Sequence, residues 1–265
     1  MRAFRSEFIR IWRPSYIYGG FGAMAGFSAL ISVFIYTAAS SGPPVPSGSG
    51  QAAGFATVAQ IATPGGFLAP LSVLSRPAGV IVLSLWAIAV ASDYSTGLIR
   101  IVVQAYPRRV RLLAGKIVAL AAFTLIATTI AYLVLVFCAR PLARLEGIEV
   151  DHWKTDFASH FFKGYLDFTV AMLVWGLIGL MLAVLTRSAA LAIGIGIGFL
   201  LVVESLITIV AAGAAKYLPG GTLTTLVQGG TDGFSWGAAA AVVVLYGVIT
   251  AVVSLFVFRA RDIVA

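Results

Sequence analysis

The run IVALAAFTLIATTIAYLVLVF, Ile117 to Phe137, holds twenty-one residues without a charge. A bilayer core about 30 Å thick needs roughly twenty mostly apolar residues of helix to cross it, and this run supplies them. Outward from it the pattern repeats. Spans are expected at Tyr16 to Ala39, Phe67 to Ser92, Ile117 to Phe137, Leu166 to Leu185, Ala189 to Ala211 and Trp236 to Phe258. Composition agrees: of 265 residues, 60% are hydrophobic and 11% charged, with mean hydropathy +1.00, whereas about a quarter of residues are charged in soluble domains. The expected fold is an all-α membrane protein whose six transmembrane helices form a single domain over residues 1–265. The most polar internal stretch, Ala139 to Lys163, is shorter than the roughly 50 residues at which compact domains begin. A soluble catalytic domain would have to come from another chain.

The second span is open to two readings. Arg76-Pro77 interrupts it, so it is either one long tilted helix with Arg76 snorkelling near its outer end, or Phe55 to Ser75 forms a partly re-entrant piece. At the amino terminus, Phe4, Phe8, Ile11 and Trp12 share a helical face, with Arg2, Arg5, Arg10 and Arg13 largely elsewhere. That pattern predicts an amphipathic interfacial helix over residues 1–14, with Pro14 turning the chain into the bilayer; the plainer reading is a basic tail on anionic lipid. The first apolar run ends in small residues like a secretory signal, but its length from Pro14 past Ser40 exceeds the roughly 7 to 15 residues of a signal core, so a retained helix is expected. Lys and Arg near span ends set orientation. Six spans place both termini on one side, and that side receives twelve of the eighteen basic residues: four in the first thirteen positions, five between Asp93 and Lys116, then Arg187, Arg259 and Arg261. Both termini are therefore expected in the cytoplasm. Fourteen of the eighteen basic residues are Arg, a bias that suggests a GC-rich bacterial genome and hence the bacterial cytoplasmic (inner) membrane.

Motifs for chemistry are missing. Cys138 is alone, so an intrachain disulfide is excluded and a thiolate metal cluster disfavoured. Gly115-Lys116 is followed by Ile117, and Val110 stands where a phosphate-binding loop needs its first Gly. Neither a Gly-x-Ser-x-Gly elbow nor a His-Glu-x-x-His run occurs. No catalytic, metal or cofactor residue is therefore expected in this chain, and nothing points to nucleic acid. His152, His160, Asp151 and Asp156 match no tight metal-ligand spacing, and a solvated, partly helical loop is expected there. Glu204 is the ionisable group well inside a span. Intramembrane carboxylates are functional candidates by default, which puts Glu204 on a possible translocation path; the competing reading is a structural carboxylate, protonated or hydrogen-bonded to a Ser, Thr or Tyr on a neighbouring helix. Asp167 is expected to reach the outer interface. Small-residue pairs Gly22/Gly26 and Gly194/Gly198 predict close helix approach.

The remaining segment is DYSTGLIRIVVQAYPRRVRLLAGK, Asp93 to Lys116. Arg100 and Gln104 lie four residues apart on one helical face and Leu98, Val102 and Ala105 on another, the pattern of a short amphipathic helix at the membrane surface. Pro107 breaks it at Tyr106 and suits the first position of a new helix. Arg108, Arg109 and Arg111 crowd that new start, where the helix dipole disfavours positive charge. A docking surface tolerates such crowding; a collar that only sets orientation does not need it. An acid ending the second span, then Gly97, Arg100, Pro107, Arg108 (or Arg109), Leu112-Leu113 and Gly115-Lys116 opening the third, resembles the permeases of type-2 ATP-binding-cassette (ABC) exporters. Asp93 stands where that family more often has Glu, and Leu98 follows the Gly where Thr is frequent. The resemblance implies that Asp93, Gly97, Arg100, Pro107, Arg108, Arg109 and Lys116, with Gln104 on the same polar line, form a coupling segment docking on a separate ABC-type ATPase subunit, with Arg187 a further contact. It also implies that ATP and Mg belong to that subunit, that the permease pairs with a second copy or a paralogue in membrane lipid, and that Lys216 to Phe234 corresponds to outer half-helices gating an exit.

Three functional readings follow. One is the transmembrane subunit of an ATP-driven exporter of a hydrophobic or amphipathic compound, such as a drug or lipid-like molecule, suggested by the motif and an almost uncharged membrane interior. The second is an ion-coupled secondary transporter using Glu204, against which the halves show no matching helix breaks. The third is a membrane anchor or regulatory subunit that transports nothing.

Overall fold

The structure is a computed structural model that describes residues 12–41, 56–97 and 109–260. The coupling-segment positions Arg100, Gln104, Pro107 and Arg108 lie outside the described residues, as does the amino-terminal segment up to Ile11; of Arg109 only the backbone is described.

Among the described residues, six helices are long and apolar enough to cross a membrane. A helical turn Pro14–Tyr16 and a π-helical turn Ile17–Phe21 lead into α1, Gly22–Ser41. Next come α2, Ala69–Ser95, α3, Arg109–Leu145, and α4, Phe157–Thr186. The fifth span is composite: α5, Ala189–Gly198, passes through a π-helical turn, Phe199–Val203, into α6, Glu204–Val210. A short half-helix α7, Pro219–Val227, and a tight hairpin of β1, Gly230–Thr231, and β2, Phe234–Ser235, precede α8, Trp236–Ala260. The chain is thus a multi-pass helical membrane protein.

The second span is one continuous helix, with Pro77 inside it and Arg76 exposed on its surface. Before it, Val58–Ile61 forms a capped turn whose Thr57 and Gln60 bond reciprocally. The expected loop between the third and fourth spans is largely ordered. Helix α3 has 37 residues, about 55 Å at 1.5 Å per residue, and so projects well past the apolar core. Trp153 then folds back, its indole N–H donating to the Ile61 carbonyl at 2.8 Å, and packs with Tyr36 and Phe67. This aromatic cluster seals one end of the bundle.

The centre of the bundle is the α2/α4 seam, and glycine makes it. A Cβ on Gly79 would sit 2.4 Å from the Trp175 indole nitrogen; one on Gly176 would sit 2.4 Å from the Trp86 ring; one on Gly179 would sit 2.3 Å from the Leu83 carbonyl oxygen. Each helix therefore offers a glycine to the other's tryptophan. Trp86 is fully buried and donates its N–H to Thr124 Oγ1 at 2.9 Å, which ties α3 to the seam. The glycines expected to pack do not do so within the chain: Gly22, Gly26, Gly194 and Gly198 have nothing within 4 Å of an added Cβ. Spacing alone does not say which face of a helix is buried, and these sit on the bundle's outer faces.

Gly79→Val or Gly176→Val should overpack the seam and destabilise the detergent-solubilised chain by about 1–3 kcal/mol. Gly194→Ala should stay within about 0.5 kcal/mol, as for surface substitutions. Chemical unfolding in micelles distinguishes the two classes.

Candidate functional site

At the end of α2, Gly97 adopts φ 68° and closes the helix; left-handed backbone is cheap for glycine alone. One turn earlier stands Asp93. Lys116, in the second turn of α3, is only 4% exposed; its ammonium donates to Asp93 Oδ2 and, at 2.9 Å, to the Ala89 carbonyl. Val90, Tyr94, Leu113 and Phe258 line a small cavity around the pair, so the ends of α2, α3 and α8 converge there. The first and last charged positions of the segment Asp93 to Lys116 are thus joined, which fixes the two stems of the segment between them. At the same end Arg187 is exposed and holds φ 55°, turning α4 into α5, where Ser188 caps the new helix.

Glu204 is 2% exposed. Its Oε2 accepts the Gly220 N–H at 3.1 Å and its Oε1 accepts the Gly221 N–H at 2.5 Å. Those amides begin α7, whose first residue, Pro219, has no N–H and whose N-cap, Leu218, supplies no side-chain bond. Glu204 therefore replaces the absent cap from another helix, placing negative charge at the positive end of α7. A Cβ on Gly220 would lie 2.5 Å from Oε2, and one on Gly221 would lie 2.4 Å from the Ala215 carbonyl oxygen, so the glycine pair is what lets the carboxylate approach. Where a structural carboxylate was expected to meet a Ser, Thr or Tyr hydroxyl, its partners are backbone amides. The signal in the sequence was Leu-Pro-Gly-Gly, a helix start without a cap of its own. Two more bonds seat α7: Thr222 Oγ1 donates to the Lys216 carbonyl at 2.8 Å, and Thr224 pairs with Ser75 of α2 at 3.2 Å.

Asp167 lies on α4 beside Trp236, the first residue of α8. It is 6% exposed, and both its oxygens accept from the Trp236 indole N–H, at 3.1 and 3.0 Å. Among the described residues no group of three His, Cys, Asp or Glu could hold a metal ion. His160 instead bonds the Asp156 carbonyl through Nδ1 at 3.0 Å.

These features define a polytopic helical protein with two polar anchors, one at each end of α2. A family model described as a protein of unknown function (DUF2705) matches residues 50–264. The chain belongs to that family. No curated protein matches it.

Removing one member of a buried ion pair costs about 3–5 kcal/mol, whereas replacing both with apolar groups is often near neutral. Lys116→Met should therefore destabilise strongly, and Asp93→Leu in the same chain should restore most of the loss in an unfolding titration. Glu204→Ala should destabilise by about 2–5 kcal/mol, since two charge-assisted bonds are lost and buried amides are left unpaired. Hydrogen exchange should speed selectively at Gly220 and Gly221.

Proposed function

We propose that this chain is the permease subunit of a type-2 ABC exporter, moving a hydrophobic or amphipathic compound outward with ATP hydrolysed on a separate subunit. The observation that carries the reading is the Asp93–Lys116 pair, because it joins the acid and the lysine that bracket the coupling-type motif. A segment whose stems are clamped together moves as a unit with α2 and α3, as a lever between an ATPase and the membrane helices must. The basic bias of that end supports placing it, and both termini, in the cytoplasm of a bacterial cell, with the amino-terminal amphipathic segment on the inner membrane surface. The partners are an ABC-type ATPase, which holds ATP and its Mg, and a second copy or paralogue of the permease. The opposite end supports an exit gate: α7 is short, lies outside the six spans, and is seated by Glu204 and Ser75. Both Glu204 oxygens accept bonds from α7, which supports a structural role for this carboxylate over an ion-coupling one.

The test is purification of the tagged chain from its own membranes. An ABC-type ATPase should copurify with the wild type and be lost with Arg108→Glu/Arg109→Glu while the variant remains folded. Assembly and ATP-driven transport undiminished in that variant would refute the coupling assignment.

A further inference from the structure

A furrow of about 520 Å³ opens between α4 and α8, lined in part by Phe162, Lys163, Leu166, Asp167 and Trp236. About 30 Å of helix, roughly twenty residues at 1.5 Å each, separates Asp167 from Arg187 at the far end of α4. That is one hydrocarbon thickness, so Asp167 stands at the edge of the apolar core and Lys163, one turn nearer water, stands among headgroups. The two carry opposite charges and do not pair. The carboxylate is 6% exposed, and both its oxygens share one donor, the Trp236 indole N–H. An ionised carboxylate has about four lone-pair sites, and buried polar groups are as a rule bonded; this one is under-satisfied where it lines the furrow. Tyr132 is close enough to act on it electrostatically, but its hydroxyl donates to the Phe161 carbonyl at 2.7 Å. Lys163 acts on it in the same way, yet its ammonium stands over the Trp236 ring, 5.0 Å from the centroid, without an ion pair among the described residues. In sum the two charges cancel, so the furrow favours neither a simple anion nor a simple cation. What it presents is a dipole of fixed order, negative toward the bilayer centre and positive toward water, with the indole bridging the two. Leu166 and Val170, 59% and 40% exposed, continue an apolar strip from those charges toward the bilayer centre.

We propose that this furrow binds the head of a zwitterionic amphiphile whose ammonium adjoins its tail and whose anionic group lies further out. The ammonium meets the unfilled side of Asp167 beside the indole, which itself attracts cations. A sulfonate or carboxylate further out meets Lys163, and the tail follows Leu166 and Val170. At the edge of the apolar core these attractions are weakened less than they are in water. A phosphocholine or phosphoethanolamine head has the reverse order, phosphate beside the tail and ammonium outward. Ordinary bilayer phospholipid therefore sets like charge against like at both positions. A simple cation or anion matches one residue and is repelled by the other. The site stands independently of the exporter reading.

The experiment uses the full chain in phosphatidylcholine nanodiscs, without ATP or a partner, and measures equilibrium binding of radiolabelled probes below micelle-forming concentration, corrected for empty nanodiscs. Two probes share a dodecyl tail and zero net charge but have opposite head order: dodecyl sulfobetaine, ammonium inward, and dodecylphosphocholine, phosphate inward. A third, dodecyltrimethylammonium, carries the cation alone. The wild type should hold the sulfobetaine at least about tenfold tighter than the phosphocholine, equivalent to roughly 1.4 kcal/mol. Asp167→Asn, which keeps an acceptor for Trp236, should erase that preference. Lys163→Gln should shrink it several-fold, and since Lys163 is exposed the unfolding midpoint should not move. Equal binding of the two zwitterions, a preference for the phosphocholine, or binding of neither above empty nanodiscs overturns the site. So does a preference that persists in folded Asp167→Asn. An undiminished preference in Lys163→Gln overturns it whether or not Asp167→Asn folds. Wild-type binding of dodecyltrimethylammonium as tight as that of the sulfobetaine reduces the site to a carboxylate and overturns the zwitterion assignment.

Discussion

Two tryptophans and two glycines set the spacing of α2 against α4. Trp86 lies over Gly176 and Trp175 lies over Gly79, so each indole occupies the space that a side chain on the facing helix would have filled. Inside lipid, apolar helices gain little from hydrophobic burial against each other, and close van der Waals fit has to hold them. The reciprocal exchange provides that fit over two turns of α2, against the adjacent Trp175 and Gly176 of α4. It also orients polar atoms, since Trp86 reaches Thr124 on α3 only from this position. The other spans are arranged around this pair, and both polar anchors hang on α2: Asp93 near one end, Ser75 toward the other.

Polar groups in the bundle are satisfied by short local devices. The hydroxyls of Ser32, Thr128, Thr250 and Ser254 return to carbonyls of their own helices, as Thr208 does after Glu204. Long-range polar contacts are fewer; some join regular helices and others fall where the chain departs from helix. Glu204 follows a π-helical turn and meets the first turn of α7. Ser28 of α1 reaches the Ala131 carbonyl of α3 at 2.6 Å. Glu146, just past α3, accepts from Thr37 and Ser40 of α1 at 3.1 and 2.5 Å. Under the exporter reading this distribution divides the labour. A rigid α2/α4 frame carries displacement, and α7, attached by a handful of bonds, is the element free to respond. Discrete rearrangements of this kind are what packed interfaces permit.

The spans were legible because apolar length is written residue by residue: the chain's six long runs match six helices, and the twenty-one uncharged residues from Ile117 lie inside the third. Their ends were less so, because α3 continues through Arg140, Pro141 and Arg144 beyond the apolar core on the strength of packing with α1. The working glycines were missed for a related reason. Gly79, Gly176 and Gly179 follow a tryptophan-and-leucine pattern on the opposite helix, and one helix's sequence does not show its partner. Glu204 stood out by its charge, yet its partners are backbone amides, which no residue letter announces; only the uncapped Leu-Pro-Gly-Gly start hinted at them. The Asp93–Lys116 contact was implicit in a motif that holds both residues, but nothing in their spacing of twenty-three positions dictates that they touch.

We propose that the segment between α2 and α3 is where another chain's ATP hydrolysis enters this one. The most direct measurement places a photoreactive amino acid at Gln104 and irradiates intact cells. The account predicts a covalent adduct to a nucleotide-binding ATPase subunit, identified by mass spectrometry of the linked peptide. An adduct to lipid alone, or to a protein without a nucleotide-binding domain, would contradict it.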